Sequence, residues 1–249
     1  MEDNNDVVTI MSETLRSWRE SGDRRAVFLG CYSMMTRNML CSIDAGEFRD
    51  AAWVRTLLQR FAEYYFAALA DYERRGAGLA PAWRIAHDAA SAGEVSALQL
   101  LLLGVNAHIN YDLVLTLEEL LRPEWAQLSD NIRQSRHADY CLVNEVIART
   151  IDAVQDEVLE EAMPSMAVVD VVLGRMDEHV TSTLLTRWRD EVWDDALRLL
   201  HAGDEQARRT LCEQVDRRTQ RRAAWLGVHD QRSAITALRA LREEDFTME

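Results

Sequence analysis

Apolar residues recur every three or four positions along nearly the whole chain, the period of a helix face and not of a strand. In "EFRDAAWVRTLLQRFAEYYFAALADYERRG", Phe48, Trp53, Leu57, Phe61 and Tyr65 form one such stripe, and Gly76 closes it in the manner of a helix C-cap. The same period predicts helices over 7–20 and 24–40, the second with Asp23 as N-cap and "CSIDAG" as the following turn. Pro81 opens a short helix, "PAWRIAHDAA". A long apolar helix follows over 95–121, stopped by Pro123. Further helices are expected over 135–162 (ending near Pro164), 166–200 (with a break near Gly174), 204–225 and 232–242, with frayed termini at 1–6 and 243–249. These elements predict one all-α domain over 1–249, a helical bundle around a buried central helix.

The central helix carries an anomaly. "LQLLLLGVNAHINYDLVLTLEEL" is mostly leucine and valine, yet Asn106, His108, Asn110 and Asp112 sit in its middle. At about 100° per residue, Gln99, Asn106 and Asn110 fall within about 40° of one another. His108, Asp112 and Glu119 form a second stripe on the opposite side. A helix that is apolar on most sides is normally surrounded by others. Its polar groups are then buried or line a cavity, and each one left unpaired costs about 1–3 kcal/mol.

Three readings of the cluster stand at this level. It is a buried hydrogen-bond network that fixes register, the polar floor of a ligand pocket, or part of a metal site. In the pocket reading His108 and Asp112 are the catalytic acid/base pair, with Asp112 setting the tautomer, and Asn106 and Asn110 hold a substrate carbonyl or hydroxyl. In the metal reading His108 and Asp112, one turn apart, supply two ligands of a divalent ion. No HExxH or ExxH motif or second HxxxD accompanies them, so no cofactor is expected under the main reading. Gly104 lies on the His108 stripe and allows a helix or a ligand close approach.

Composition narrows the classes. Three prolines and ten glycines among 249 residues favour long helices. The net charge of −14 opposes nucleic acid and anionic membrane surfaces as partners. All 28 cationic residues are arginine, so lysine Schiff-base chemistry and a Walker lysine are excluded. The cysteines Cys31, Cys41, Cys141 and Cys212 lack CxxC spacing and read as free, mostly buried thiols in a reducing cytoplasm. The acidic N-terminus is unlike a signal peptide, and the unbroken apolar run "LLLLGV" is far too short to span a membrane.

"LLLGVNAHINYDL" resembles the L-L-L-G-x-N-A-H-I-N-x-D-L signature of an all-helical, mainly bacterial family catalogued as a domain of unknown function. "FAEYYFAALADYERRG", "PAWRIAHDAA", "DYCLVNEVIA" and "WRDEVWDDALRL" resemble it more loosely, over about residues 30–200. The resemblance brings no activity. It brings positions: Asn106, His108, Asn110 and Asp112, with Trp83, Asp139, Asn144, Arg189 and Trp193 as looser matches. His87 stands where the pattern expects an aromatic residue.

The resulting expectation is a cavity lined by aromatics such as Tyr64, Tyr65, Trp83 and Trp193, with His87 nearby and Asp139 as a partner for His108 across the helix pair. The ligand is then a mostly apolar small molecule, and the chemistry that of a cyclase or tailoring enzyme of bacterial specialised metabolism. A non-catalytic binding or interaction protein, or a metal-dependent hydrolase or oxygenase, is the alternative. A homo-oligomer is compatible with all of these. "RWRDEVWDDALRLL" lacks the DDxxD spacing of class I terpene synthases and reads as a solvated face with pairs such as Asp194–Arg198. "RRTQRRAAW" reads as an exposed basic cluster balancing nearby acids.

Overall fold

A computed structural model describes residues 3–156 and 178–228; the expectations at Pro164 and Gly174 and the helix over 232–242 lie outside the described residues. Among the described residues eight helices and no strand follow one another. They are α1 (Asp3–Ser21), α2 (Ala26–Asp44), α3 (Ala51–Glu73), α4 (Pro81–Ala92), α5 (Ala97–Leu121), α6 (Asp130–Asp156), α7 (Glu178–Leu200) and α8 (Glu205–Val228). The class is all-α, as the periodicity predicts.

The boundaries differ from expectation where packing overrides local signals. "CSIDAG" is not wholly a turn: α2 runs through it to Asp44, because Ser42 and Ile43 continue the buried face, and Gly46 then turns the chain at φ 74°. The left-handed residue after α3 is Arg75 at φ 54°, not Gly76. Asp23 accepts from the Arg25 backbone N–H at 2.9 Å, one position ahead of α2, and also holds the Arg25 guanidinium. Pro81 sits in the first turn of α4 and Gly93, φ 75°, ends it. Ser96 and Gln99 form a reciprocal capping box at the start of α5, each side chain accepting from the other's backbone N–H at 3.2 and 2.9 Å.

Helix α5 is the axis of the bundle. Its first half joins a core built with α1, α2, α3 and α4, including Met11, Phe28, Tyr65 and Trp83. Its second half joins a core with the end of α2, the start of α3, α6, α7 and α8, including Trp53, Tyr140, Val192 and Leu199. Phe61 and Ile109 touch both. By length and composition α5 is apolar enough to cross a membrane, contrary to the expectation from its short unbroken runs; most of it is buried inside the bundle, as a core helix is.

Gly104 owes its place to a close approach by α2. A Cβ there would lie 2.4, 2.5 and 2.9 Å from Cδ2, Cγ and Cβ of Phe28. Phe28 cannot swing aside, because Tyr65, Trp83 and His108 surround its ring. Gly104→Ala is therefore expected to cost about 1–3 kcal/mol despite alanine's better helix propensity. A denaturant midpoint equal to or above that of the wild type is the contrary outcome.

Candidate functional site

The middle of α5 is not α-helical. His108–Asp112 form a π turn, in which the Leu113 N–H reaches back to the His108 carbonyl. Such insertions widen the helix locally and often mark functional positions. Side-chain hydroxyls serve the carbonyls around the turn: Thr116 donates to the Asp112 carbonyl at 2.7 Å and Thr219 of α8 to that of Asn110 at 3.1 Å. The two polar stripes leave this turn in different directions.

The Asn stripe faces α8. Asn106 Nδ2 donates to the Thr219 carbonyl at 3.0 Å, and Asn110 Nδ2 donates to Asn106 Oδ1 at 3.0 Å. Gln99 Nε2 donates to the Leu226 carbonyl at 3.1 Å. Asn106, Asn110 and Thr219 are fully buried. The expectation that Asn106 and Asn110 hold a substrate is thus corrected: these amides pin α8 to α5 and do not line the cavity beside His108. Asn106→Ala strands a donor on Asn110 and an acceptor on Thr219. It is expected to lower stability by about 2–3 kcal/mol and to leave ligand binding in the cavity unchanged, measured by denaturation and calorimetry in parallel.

The other stripe faces α2, α3 and α4. His108 Nδ1 lies 3.0 Å from Asp112 Oδ2, and Trp83 Nε1 donates to the same oxygen at 2.9 Å. The imidazole stacks flat on Phe61, centroids 3.5 Å apart at 7°, with Tyr32 edge-on at 4.4 Å. Burial pushes the Asp112 carboxyl well above its ordinary range, against the Trp83 hydrogen bond, and pushes His108 well below its own. The pair therefore carries no net charge. Trp83 Nε1–H occupies one lone pair of Oδ2, and with the carboxylic proton on Oδ1 the other lone pair is free. Oδ2 then accepts from Nδ1–H as well. This tautomer leaves the lone pair on His108 Nε2, which is buried and has no hydrogen-bond partner.

His108 lines a cavity of about 160 Å³. Its walls are Phe28, Tyr32, Met35 and Met39 from α2, Val54, Leu57 and Phe61 from α3, a run of α5 from Leu98 to Leu113, and Val143, Ile147, Leu185 and Arg189 from α6 and α7. At about 1.5 Å per residue that run covers about 22 Å of helix axis, so the space is long and apolar.

The remaining expectations sort by geometry. Trp83 belongs to the dyad as its hydrogen-bond donor. Tyr65 and His87 line a neighbouring void of about 20 Å³, room for one water, and not the cavity beside His108. His87 stacks on Trp83 at 17°. Tyr64 donates to Glu119 at 2.8 Å and is not a cavity residue. Trp193 packs against Trp125, His137 and Tyr140 instead. Asp139 is not a partner of His108: its carboxylate accepts from the backbone of Arg49 and Asp50 at 2.9 and 2.8 Å, tying the start of α3 to α6. Asn144 accepts from Arg189 Nε at 2.5 Å. The expected pair Asp194–Arg198 is instead Asp195–Arg198 at 3.1 Å. The acidic run on α7 and the basic cluster on α8 prove to be each other's partners, Glu191 with Arg222 at 2.7 Å and Asp195 with Arg218.

The wall residues Phe28, Tyr32 and Phe61 were missed as site residues, although the first two stand four apart on one apolar face. Thr219 gave no signal: it is one of two threonines in an arginine-rich helix. The four thiols are free as expected, but Cys41 is exposed and the others only partly buried. Among the described residues no group of three or more His, Cys, Asp or Glu side chains gathers as metal ligands do, so His108 and Asp112 have no third protein ligand there.

A model for a family of unknown function, DUF5995, matches residues 5–228, and the chain belongs to that family. No curated protein and no solved structure matches it.

His87 makes a pH test available. Burial lowers its pKa to about 4, below the ordinary 6.5, so the unfolded chain takes up this proton first. Its neutral form costs nothing above pH 6.5, and stability falls as pH drops from 6.5 towards 4. By pH 5 the loss is about 2 kcal/mol. His87→Phe keeps the stack and removes the proton. Denaturant unfolding at pH 7 and 5 is expected to show a smaller pH difference in this variant; an unchanged difference means that His87 does not titrate on unfolding.

Proposed function

We propose that the chain binds a mostly apolar small molecule in the α2–α3–α5 cavity and transfers a proton to and from it at His108 Nε2. The observation that carries this reading is that Nε2 is buried, unpartnered and part of an apolar wall, while Nδ1 is held by Asp112 and Asp112 by Trp83. A buried acceptor without a partner costs about 1–3 kcal/mol, which a ligand hydroxyl or acidic C–H removes by donating to it. A proton taken at Nε2 gives an imidazolium whose Nδ1–H still faces Asp112. Its return to a neighbouring ligand atom restores the neutral pair, so an isomerisation or cyclisation closes the cycle without a co-reactant. This is the chemistry of a cyclase or tailoring enzyme. The free thiols support work in a reducing compartment such as the cytoplasm.

A second reading, a carrier that binds without turnover, draws on the same wall: His108 is held in a tight aromatic stack and its basicity is lowered. The test uses Nile red as a neutral reporter of cavity binding, and mass spectrometry of an apolar metabolite extract incubated with the protein. His108→Phe retains the stack on Phe61 and loses Nε2; Leu102→Trp fills the cavity. Enzyme action is expected to appear as a product that His108→Phe forms about 100-fold more slowly or worse while still binding the dye. Dye binding with no product from the wild type moves the conclusion to the carrier. Dye binding that survives Leu102→Trp undiminished removes the cavity from both.

A further inference from the structure

Arg189 is 4% exposed and lines the mostly apolar cavity. Its Nε donates to Asn144 Oδ1 at 2.5 Å and its Nη2 to the Tyr140 carbonyl at 3.0 Å, while its guanidinium lies 4.2 Å from the centroid of the Tyr140 ring. All of these partners are neutral. Among the described residues no carboxylate forms an ion pair with it, whereas the buried carboxylates Glu118 and Asp195 are each met by two arginines. A buried cation with neutral partners alone is strongly disfavoured, and an anion beside it removes that penalty.

We infer that the ligand of this cavity is an amphipathic carboxylic acid, with an apolar body along α5 and its carboxylate on the remaining N–H donors of Arg189. The inference rests on the proposed cavity function and narrows its ligand class. A carboxylate fits better than a phosphate ester because Arg189 is the one cationic wall residue among the described residues, a single charge that a monoanion neutralises and a dianion exceeds. The long shape of the apolar space suits an extended hydrocarbon. The same charge gives α6 and α7 a part in ligand choice: Asn144 and Tyr140 position the guanidinium, and the chain length of the ligand is set by the leucines of α5.

The probe pair is decanoate and 1-decanol, titrated calorimetrically into delipidated full-length protein at pH 7.5, where the acid is ionised. Decanoate is expected to bind at least tenfold more tightly than decanol in the wild type, and the ratio to fall close to one in Arg189→Gln. Equal binding of the two probes by the wild type overturns the carboxylate inference and leaves the apolar-cavity reading standing. Failure of both probes to bind overturns both. An undiminished ratio in folded Arg189→Gln overturns the role of Arg189. Should that variant lose its helical circular dichroism, Arg189→Lys replaces it; a ratio between wild type and unity is then expected, and an undiminished one counts against the guanidinium.

Discussion

A helix enclosed by other helices has no water to which its polar groups can turn. Helix α5 carries Gln99, Asn106, His108, Asn110, Asp112, Thr116 and Glu118, all buried. Each needs a partner supplied by a neighbour or by its own backbone, and that need shapes the bundle. Thr219 and Leu226 bring α8 to one side, Trp83 brings α4 to the other, and Arg122 and Arg208 meet Glu118. Leucines fill the intervals and supply most of the burial, but they do not distinguish one helix arrangement from another. The hydrogen bonds do, because a slipped register leaves several buried groups unpaired at once.

Within that frame the two halves of the polar cluster have separate physical characters. On the α8 side amide meets carbonyl, amide meets amide and hydroxyl meets carbonyl, with Asn110 Oδ1 left unpartnered. On the α2–α3–α4 side the chain Trp83–Asp112–His108 closes at one end and stays open at the other, at Nε2. The π turn is what allows both. It brings a residue directed at α8 and residues directed at the cavity into five consecutive positions, HINYD, without breaking the helix.

Charge follows the same division. The buried acids Glu118 and Asp195 each receive two guanidiniums. Arg189 stands apart in having amide and carbonyl oxygens and an aromatic ring as its partners. Among the described wall residues, His108 keeps Nε2 and Tyr32 its hydroxyl without a partner, and Arg189 keeps its guanidinium without a carboxylate.

The helical period, the few breakers and the placing of Pro81 and Pro123 are local properties, and they determined the helices and the all-α class from the sequence alone. So did the opposition of two polar stripes on the central helix, since a wheel depends only on spacing. The pairing of His108 with Asp112 was legible for the same reason: they are one turn apart. What each stripe faces was not legible. Thr219 lies 113 positions from Asn106, and nothing in an arginine-rich helix marks it as that partner. Asp139 and Trp193 suited a cavity by residue type, yet their neighbours proved to be a helix start and other aromatic rings. The π turn was hidden as well, because the HINYD sequence suits an α-helix equally and only the competing demands of α8 and α4 select the wider turn. Spacing fixes which groups share a face; only the tertiary structure decides which of them are satisfied by protein and which are left for a ligand.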